Sequence, residues 1–191
     1  YVYTEISRQT LWDTYLQPFK RCVEAGAVSL MSSFNDISGT PGSANKYTMT
    51  TVLRDKWKFN GFVVSDWGAI EQLCNQGLAK DKKMAGELAI NAGLDMDMMS
   101  HCYDRYMKES LEEGKISMAT VDEAVRRVLR VKFMLGLFEH PYTAENKTKD
   151  RFFRKSSMEV ADKVASESMV LLKNDKGVLP ITGNKRIAVV G

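Results

Sequence analysis

Two hydrophobic textures alternate along this chain. Short unbroken apolar blocks fit strands buried on both faces, and stretches with an apolar residue every three or four positions fit helices packed on one side. Leu11 and Tyr15, four apart behind the capping residue Ser7, predict a first helix. Pro18 suits the first turn of a second helix, with Phe19, Cys22 and Val23 on its apolar side and Gly26 as its stop. Residues 27–34 read as a buried strand, and residues 35–45, with Ser38-Gly39 and Pro41-Gly42, as a loop. Met49, Val52, Leu53 and Trp57 have helical spacing. Asn60-Gly61 turns the chain into a second buried strand, Phe62–Val64, which ends at Ser65-Asp66-Trp67-Gly68. The pattern then repeats as helix 84–92 stopped by Gly93, alternating strand 94–99, and helix 101–113 ended by Gly114. Thr120 and Glu123 have the spacing of a capping box that opens a long helix with Val121, Ala124, Val125, Val128, Leu129 and Leu135 on its apolar face.

Helix and strand in short alternating units predict parallel βαβ architecture, an α/β fold. Three strands are too few to close a (β/α)8 barrel, which takes about 250 residues, so residues 1–137 read as the C-terminal part of such a barrel. From 138 to 155 the chain is polar and charged, the texture of an interdomain linker. Residues 156–191 read as the start of a second α/β domain. Ser156 or Ser157 would cap a helix with Val160, Val164 and Ala165 inward, followed by strands at 169–172 and 186–191. The chain begins at Tyr1 without a leader-like apolar stretch and ends at Gly191 inside a predicted strand, as if cut from something longer.

Composition narrows the function classes. With 44% apolar and 27% charged residues the chain is neither disordered nor a coiled coil. No apolar run approaches the ~18 residues of a membrane helix. A net charge of +3, with no basic run interleaved with aromatics, gives no nucleic-acid signature. Cys22, Cys74 and Cys102 are widely spaced without C-x-x-C and read as free thiols.

The sharpest chemical feature is Asp66, a carboxylate directly after a buried strand, with the Trp67 indole beside it. In a parallel barrel the C-terminal strand ends face the active site, where an Asp can serve as nucleophile or base and a Trp can wall a sugar ring. The competing reading makes Asp66 a cap for the next helix or turn. Asp95 and Asp97 could suggest a metal but are too few for Mg²⁺ or Ca²⁺, so rim hydrogen bonding is the simpler assignment. His101 reads as a helix-start surface residue, His140 as a linker residue, and Glu5 as a backbone hydrogen-bonding group. The charge mixture at 108–132 reads as a solvated helix face. A lone Gly191 after an apolar run is insufficient for a dinucleotide motif.

Taken together, these segments resemble glycoside hydrolase family 3, the β-glucosidase family. Gly61-Phe62-Val63-Val64-Ser65-Asp66-Trp67 is similar to its nucleophile signature. Ser7-Arg8-Gln9-Thr10-Leu11, Met31-Ser32-Ser33-Phe34-Asn35, Ala92-Gly93-Leu94-Asp95-Met96, Leu135-Gly136-Leu137-Phe138 and Leu171-Leu172-Lys173-Asn174 resemble its other segments in the same order. The resemblance implies that Asp66 is the nucleophile of a retaining enzyme releasing terminal β-D-glucosyl residues from β-linked glucosides or oligosaccharides without a cofactor. It further implies that Trp67, Met31 and Phe34 line the sugar pocket and that the second domain is an α/β sandwich. Many family members carry Tyr where this chain has Phe34, so a hydroxyl facing the nucleophile is absent. The family's acid/base is a Glu of the sandwich domain, and several sugar contacts precede the position of Tyr1. Both lie outside this chain, so the rest of the polypeptide would be needed for a complete site. A β-xylosidase or β-N-acetylglucosaminidase of the same family, or a non-catalytic binding fragment, are the alternatives. Family habit favours a periplasmic or extracellular location.

Overall fold

The Ser7 hydroxyl accepts the Thr10 N–H and starts a helix that runs through Arg8–Thr10, a π-helical stretch Leu11–Tyr15, and Leu16–Glu24, together α1. The sequence predicts a break at Pro18. Instead the helix widens just ahead of the proline, with the Leu16 N–H reaching back five residues to the Leu11 carbonyl. That wider turn accommodates a residue that lacks an N–H and crowds the carbonyl four positions earlier. Gly26, at φ 96°, ends the helix as expected. The computed structural model describes residues 3–143 and 151–190. Part of the predicted linker, residues 144–150, lies outside them. The chain divides into two units, Tyr1–Pro141 and Tyr142–Gly191.

In the first unit, β1 (Ser29–Met31) pairs in parallel with β4 (Phe62–Val64), setting Met31 beside Val64. The apolar block at 27–34 thus yields three strand residues, with the Ser32 N–H donating to the Val64 carbonyl just beyond. The predicted loop holds a small antiparallel hairpin, β2 (Asp36–Ile37) and β3 (Thr40–Pro41). Its two turn residues, Ser38 and Gly39, both take positive φ, the requirement of a two-residue hairpin turn. Strands of two residues leave no alternation to read. Helix α2 (Tyr47–Lys56) is π-helical and buries Met49, Val52 and Leu53.

The predicted strand 94–99 contracts to one parallel bridge, Met96 beside Val64. The reason is local. The Val63 N–H is taken by the Asp95 side chain instead of a main-chain carbonyl, and the chain bends away at Met99 and His101, both with positive φ. Helices α3 (Gln72–Asn75), α4 (Lys82–Ala92), α5 (Tyr103–Glu112) and α6 (Met118–Met134) complete the unit. The cap of α6 is Ser117, whose hydroxyl takes the Thr120 N–H, and Glu123 pairs with Arg127 instead of closing a capping box. On that helix Ala124 and Val131 are buried, whereas Val125, Leu129 and Leu135 are exposed. The main core joins Met49, Leu53, Val63, Ile70, Leu73, Ala89 and Leu94 around the β4 strand.

In the second unit α7 (Lys155–Glu167) follows Arg154, not a serine cap, and buries no residue. Val160 and Val164 are exposed, and residues 169–172 and 186–190 form no strand. A strand needs a partner for its backbone groups, and no described segment supplies one.

Gly61 is required by close approach. A Cβ there would lie 2.0 Å from the Val28 carbonyl oxygen, the group that accepts the Phe62 N–H at 3.2 Å and opens the β1–β4 ladder. Backbone cannot rotate aside as a side chain would. Gly61→Ala is expected to destabilise this unit by about 3 kcal/mol, the upper range for overpacking. A urea unfolding midpoint that does not move would contradict this.

Candidate active site

Asp66 lies two residues beyond the end of β4 and is half-buried. Its Oδ1 accepts the N–H of Trp67 at 2.6 Å, and among the described residues this is the only hydrogen bond its carboxylate makes. The next helix, α3, begins six residues later at Gln72 and takes no side-chain cap, so Asp66 caps no helix; it stands at the head of the turn at 67–71. The Asp66 carbonyl accepts the Ala69 N–H at 3.0 Å and the Ser65 hydroxyl at 2.9 Å. The main chain around the carboxylate is therefore pinned while its other oxygen is engaged by none of the described residues. The Trp67 indole stands 65% exposed beside it.

The register of β1 and β4 puts Met31 at the same strand end, with its side chain half exposed. Phe34 follows three residues later, half-buried, and its carbonyl accepts the Gln76 side-chain amide at 2.8 Å. An apolar cleft of about 340 Å³ between α1, β1 and α2 takes in Met31, and a more polar one of about 350 Å³ lies between the β2–β3 hairpin and α3. Asp66 and Trp67 line neither.

The carboxylates weighed for metal binding are committed elsewhere. Asp95 accepts Arg54 Nη2 at 2.6 Å and the Val63 N–H at 2.8 Å on one oxygen, and Arg127 Nη1 at 2.8 Å on the other. Arg54 also donates to the Phe59 and Gly61 carbonyls, which tie it to the start of β4. Burial pushes the Arg54 guanidinium down to about 10, against the pull of Asp95, and burial likewise raises the Asp95 carboxyl against the pull of Arg54. Asp97 accepts the N–H groups of Ser100, Cys102 and Tyr103 and so caps α5. Among the described residues no group of three His, Cys, Asp or Glu could hold a metal ion, and no helix is long and apolar enough to cross a membrane.

Several simpler assignments can now be placed. His101 is on the surface with Nδ1 3.0 Å from Asp104, and His140 is exposed. Glu5 is exposed and makes no hydrogen bond to a described residue, contrary to the backbone role expected. The three cysteines are free, and burial pushes the Cys102 thiol up to about 12. The charged face at 108–132 is not wholly solvated, because Arg127 turns inward to Asp95.

Residues 1–131 match the glycosyl hydrolase family 3 N-terminal domain. The chain belongs to that family. A periplasmic β-glucosidase of Salmonella typhimurium is 38% identical over 196 aligned residues, covering 98% of this chain and 25% of that protein. A putative β-xylosidase of Formosa agariphila is 37% identical over 191, with the same two coverages. A crystal structure of β-glucosidase from Listeria innocua superposes with a TM-score of 0.81 at 38% identity, over 95% of this chain and 25% of that one. The chain thus spans about a quarter of the length of these relatives. Sequence reasoning singled out Asp66 but passed over Ser65, Arg54 and Arg127. Arg54 and Arg127 have the ordinary pattern of helix-surface cations, and only the fold reveals that both meet one buried carboxylate.

Proposed function

We propose that this chain is the C-terminal part of a (β/α)8 barrel, residues 1–137, followed by a linker at 138–155 and the start of an α/β sandwich at 156–191. On this reading it carries the nucleophile of a retaining, exo-acting β-glucosidase. The observation that carries the reading is the setting of Asp66, a carboxylate just past the C-terminal end of a parallel strand, with its Oδ1 anchored to the Trp67 N–H and its other oxygen unengaged among the described residues. The likeness to named β-glucosidases over nearly the whole chain supports the substrate class.

In the first step the unengaged oxygen attacks the anomeric carbon. The bond to the leaving oxygen breaks, and an acid outside this chain delivers a proton to it. In the second step the same group, now a base, takes a proton from a water whose oxygen bonds to the anomeric carbon as the bond to Asp66 breaks, and the carboxylate is regenerated. Two displacements retain the anomeric configuration, and the two carboxyl groups must stand about 5–5.5 Å apart. Trp67 offers an apolar wall to the sugar ring, with Met31 and Phe34 as further walls. β-Xylosidase activity is the second reading, favoured by the Formosa agariphila relative and by a family 3 exo-β-xylosidase structure with a TM-score of 0.73. The name of the Salmonella typhimurium relative supports the periplasmic half of a periplasmic or extracellular location.

The test compares the whole protein that carries this chain with residues 1–191 alone, on aryl β-glucosides and β-xylosides, with the product anomer followed by NMR. The whole protein should prefer the glucoside and release the β-anomer first. The isolated chain should show little turnover, because loss of the acid alone costs about 10²–10⁴-fold. Release of the α-anomer, or full activity from the isolated chain, would defeat the proposal.

A further inference from the structure

The chain that carries Asp66 is joined to the neighbouring segment 96–98 through the residue just before it. Ser65 is fully buried. Its N–H donates to the Met96 carbonyl at 2.9 Å, as a ladder bond would. Beyond that point the ladder stops, because Met96 is the single bridge to β4 and the chain turns away by Met99. The Ser65 hydroxyl then takes over. It accepts the Met98 N–H at 2.8 Å and donates its own proton to the Asp66 carbonyl at 2.9 Å. Two residues further on, the Gly68 N–H donates to the Met98 carbonyl at 2.8 Å. The carbonyl of the Asp66–Trp67 peptide is held by the Ser65 hydroxyl and the Ala69 N–H, and among the described residues the hydroxyl is the side chain that ties this peptide to segment 96–98.

A hydroxyl supplies one donor and can accept at the same time, and both capacities are used here. The same peptide provides the Trp67 N–H that fixes Asp66 Oδ1. Whatever holds the peptide therefore also sets the direction of the carboxylate. Without the hydroxyl, which is itself fully buried, the Met98 N–H loses its acceptor and the Asp66 carbonyl loses one of its two donors, and the clasp opens at its middle.

We infer that Ser65 is a positioning residue, whose hydroxyl joins the Asp66 carbonyl to the Met98 N–H and so holds the Asp66 carboxylate in its attacking orientation. The inference rests on Asp66 being the nucleophile. Positioning acts on the attack itself, and a displacement on the order of 1 Å can cost about 10²-fold in rate. Sugar binding also draws on the Met31 and Phe34 walls, which the clasp does not include, so it changes less than the rate of attack.

The experiment uses the whole protein that carries this chain, with Ser65→Ala and Ser65→Cys. The thiol keeps the volume nearly unchanged and is a weak donor and acceptor, so it preserves packing if the alanine variant does not fold. Two readouts are taken: kcat and KM on an aryl β-glucoside, and the rate constant with which a 2-deoxy-2-fluoroglucoside inactivates the enzyme. Both variants should lose about 10–100-fold in kcat and in the maximal inactivation rate, with KM and the half-saturating inactivator concentration within about threefold of the parent. A general structural defect would alter binding and folded fraction without this split. A folded variant that keeps kcat and inactivation within threefold of the parent overturns the inference. Identifying the labelled residue in the parent separates the two claims: a label on a residue other than Asp66 sinks the nucleophile reading, whereas a label on Asp66 with unimpaired variants sinks only the role of Ser65.

Discussion

Replacing Asp66 by Asn in the whole protein is expected to lower kcat/KM for an aryl β-glucoside by roughly three orders of magnitude or more, the scale on which removal of a nucleophile acts. The amide oxygen of Asn can still accept the Trp67 N–H, so the bond that orients the side chain survives and the thermal midpoint should stay close to that of the parent. What is lost, on the proposed mechanism, is the anionic oxygen that would form the glycosyl–enzyme bond. The neighbouring carboxylates cannot stand in. Asp95 is enclosed by two guanidinium groups and a backbone N–H, and Asp97 is occupied in capping α5. Steady-state kinetics with matched unfolding curves make the check. A folded Asp66→Asn enzyme with near-parental turnover would remove Asp66 from the chemistry.

The second large effect concerns stability. Arg54→Met should cost about 3–5 kcal/mol, because it leaves Asp95 with one guanidinium and strands the Phe59 and Gly61 carbonyls. Asp95→Leu should cost a similar amount by leaving two cations facing each other and the Val63 N–H unpaired. The side chains of Arg54 and Asp95 are 9% and 1% exposed, so solvent cannot repair either loss. The double variant should cost less than the sum of the two, since each single change already exposes the partner's charge. Denaturant midpoints of the unit bearing residues 3–141 measure this. Single-variant shifts below about 1 kcal/mol would show that the buried network does not hold β4 in place.

How far the sequence discloses this molecule depends on whether a feature is local. Phe62–Val64 reads as a strand because three apolar residues between a glycine turn and a polar stretch have few alternatives, and α4 reads cleanly because Gly93 terminates it in the left-handed conformation. Pro18 misleads because a proline inside a helix is judged against regular α geometry, while the chain uses a π turn. The strand expected at 94–99 fails because alternation cannot reveal that an aspartate side chain takes the place of a main-chain acceptor. At 169–172 and 186–190 the apolar blocks are strand-like in composition, yet pairing is a property of two segments, and the partner is not among the described residues.

The site shows the same division. Asp66 is visible from the motif around it, as is Trp67. The Ser65–Met98 bond and the Arg54–Asp95–Arg127 network join residues 32 to 41 positions apart in sequence, and no periodicity encodes them.

The central claim is that Asp66 forms the covalent bond to the sugar. The most direct measurement is to inactivate the whole protein with a 2-deoxy-2-fluoro-β-glucoside bearing a good leaving group, digest it, and locate the modified residue by tandem mass spectrometry. The account predicts a single fluoroglucosyl ester on Asp66. An adduct on any other carboxylate, or complete inactivation with Asp66 unmodified, would contradict it.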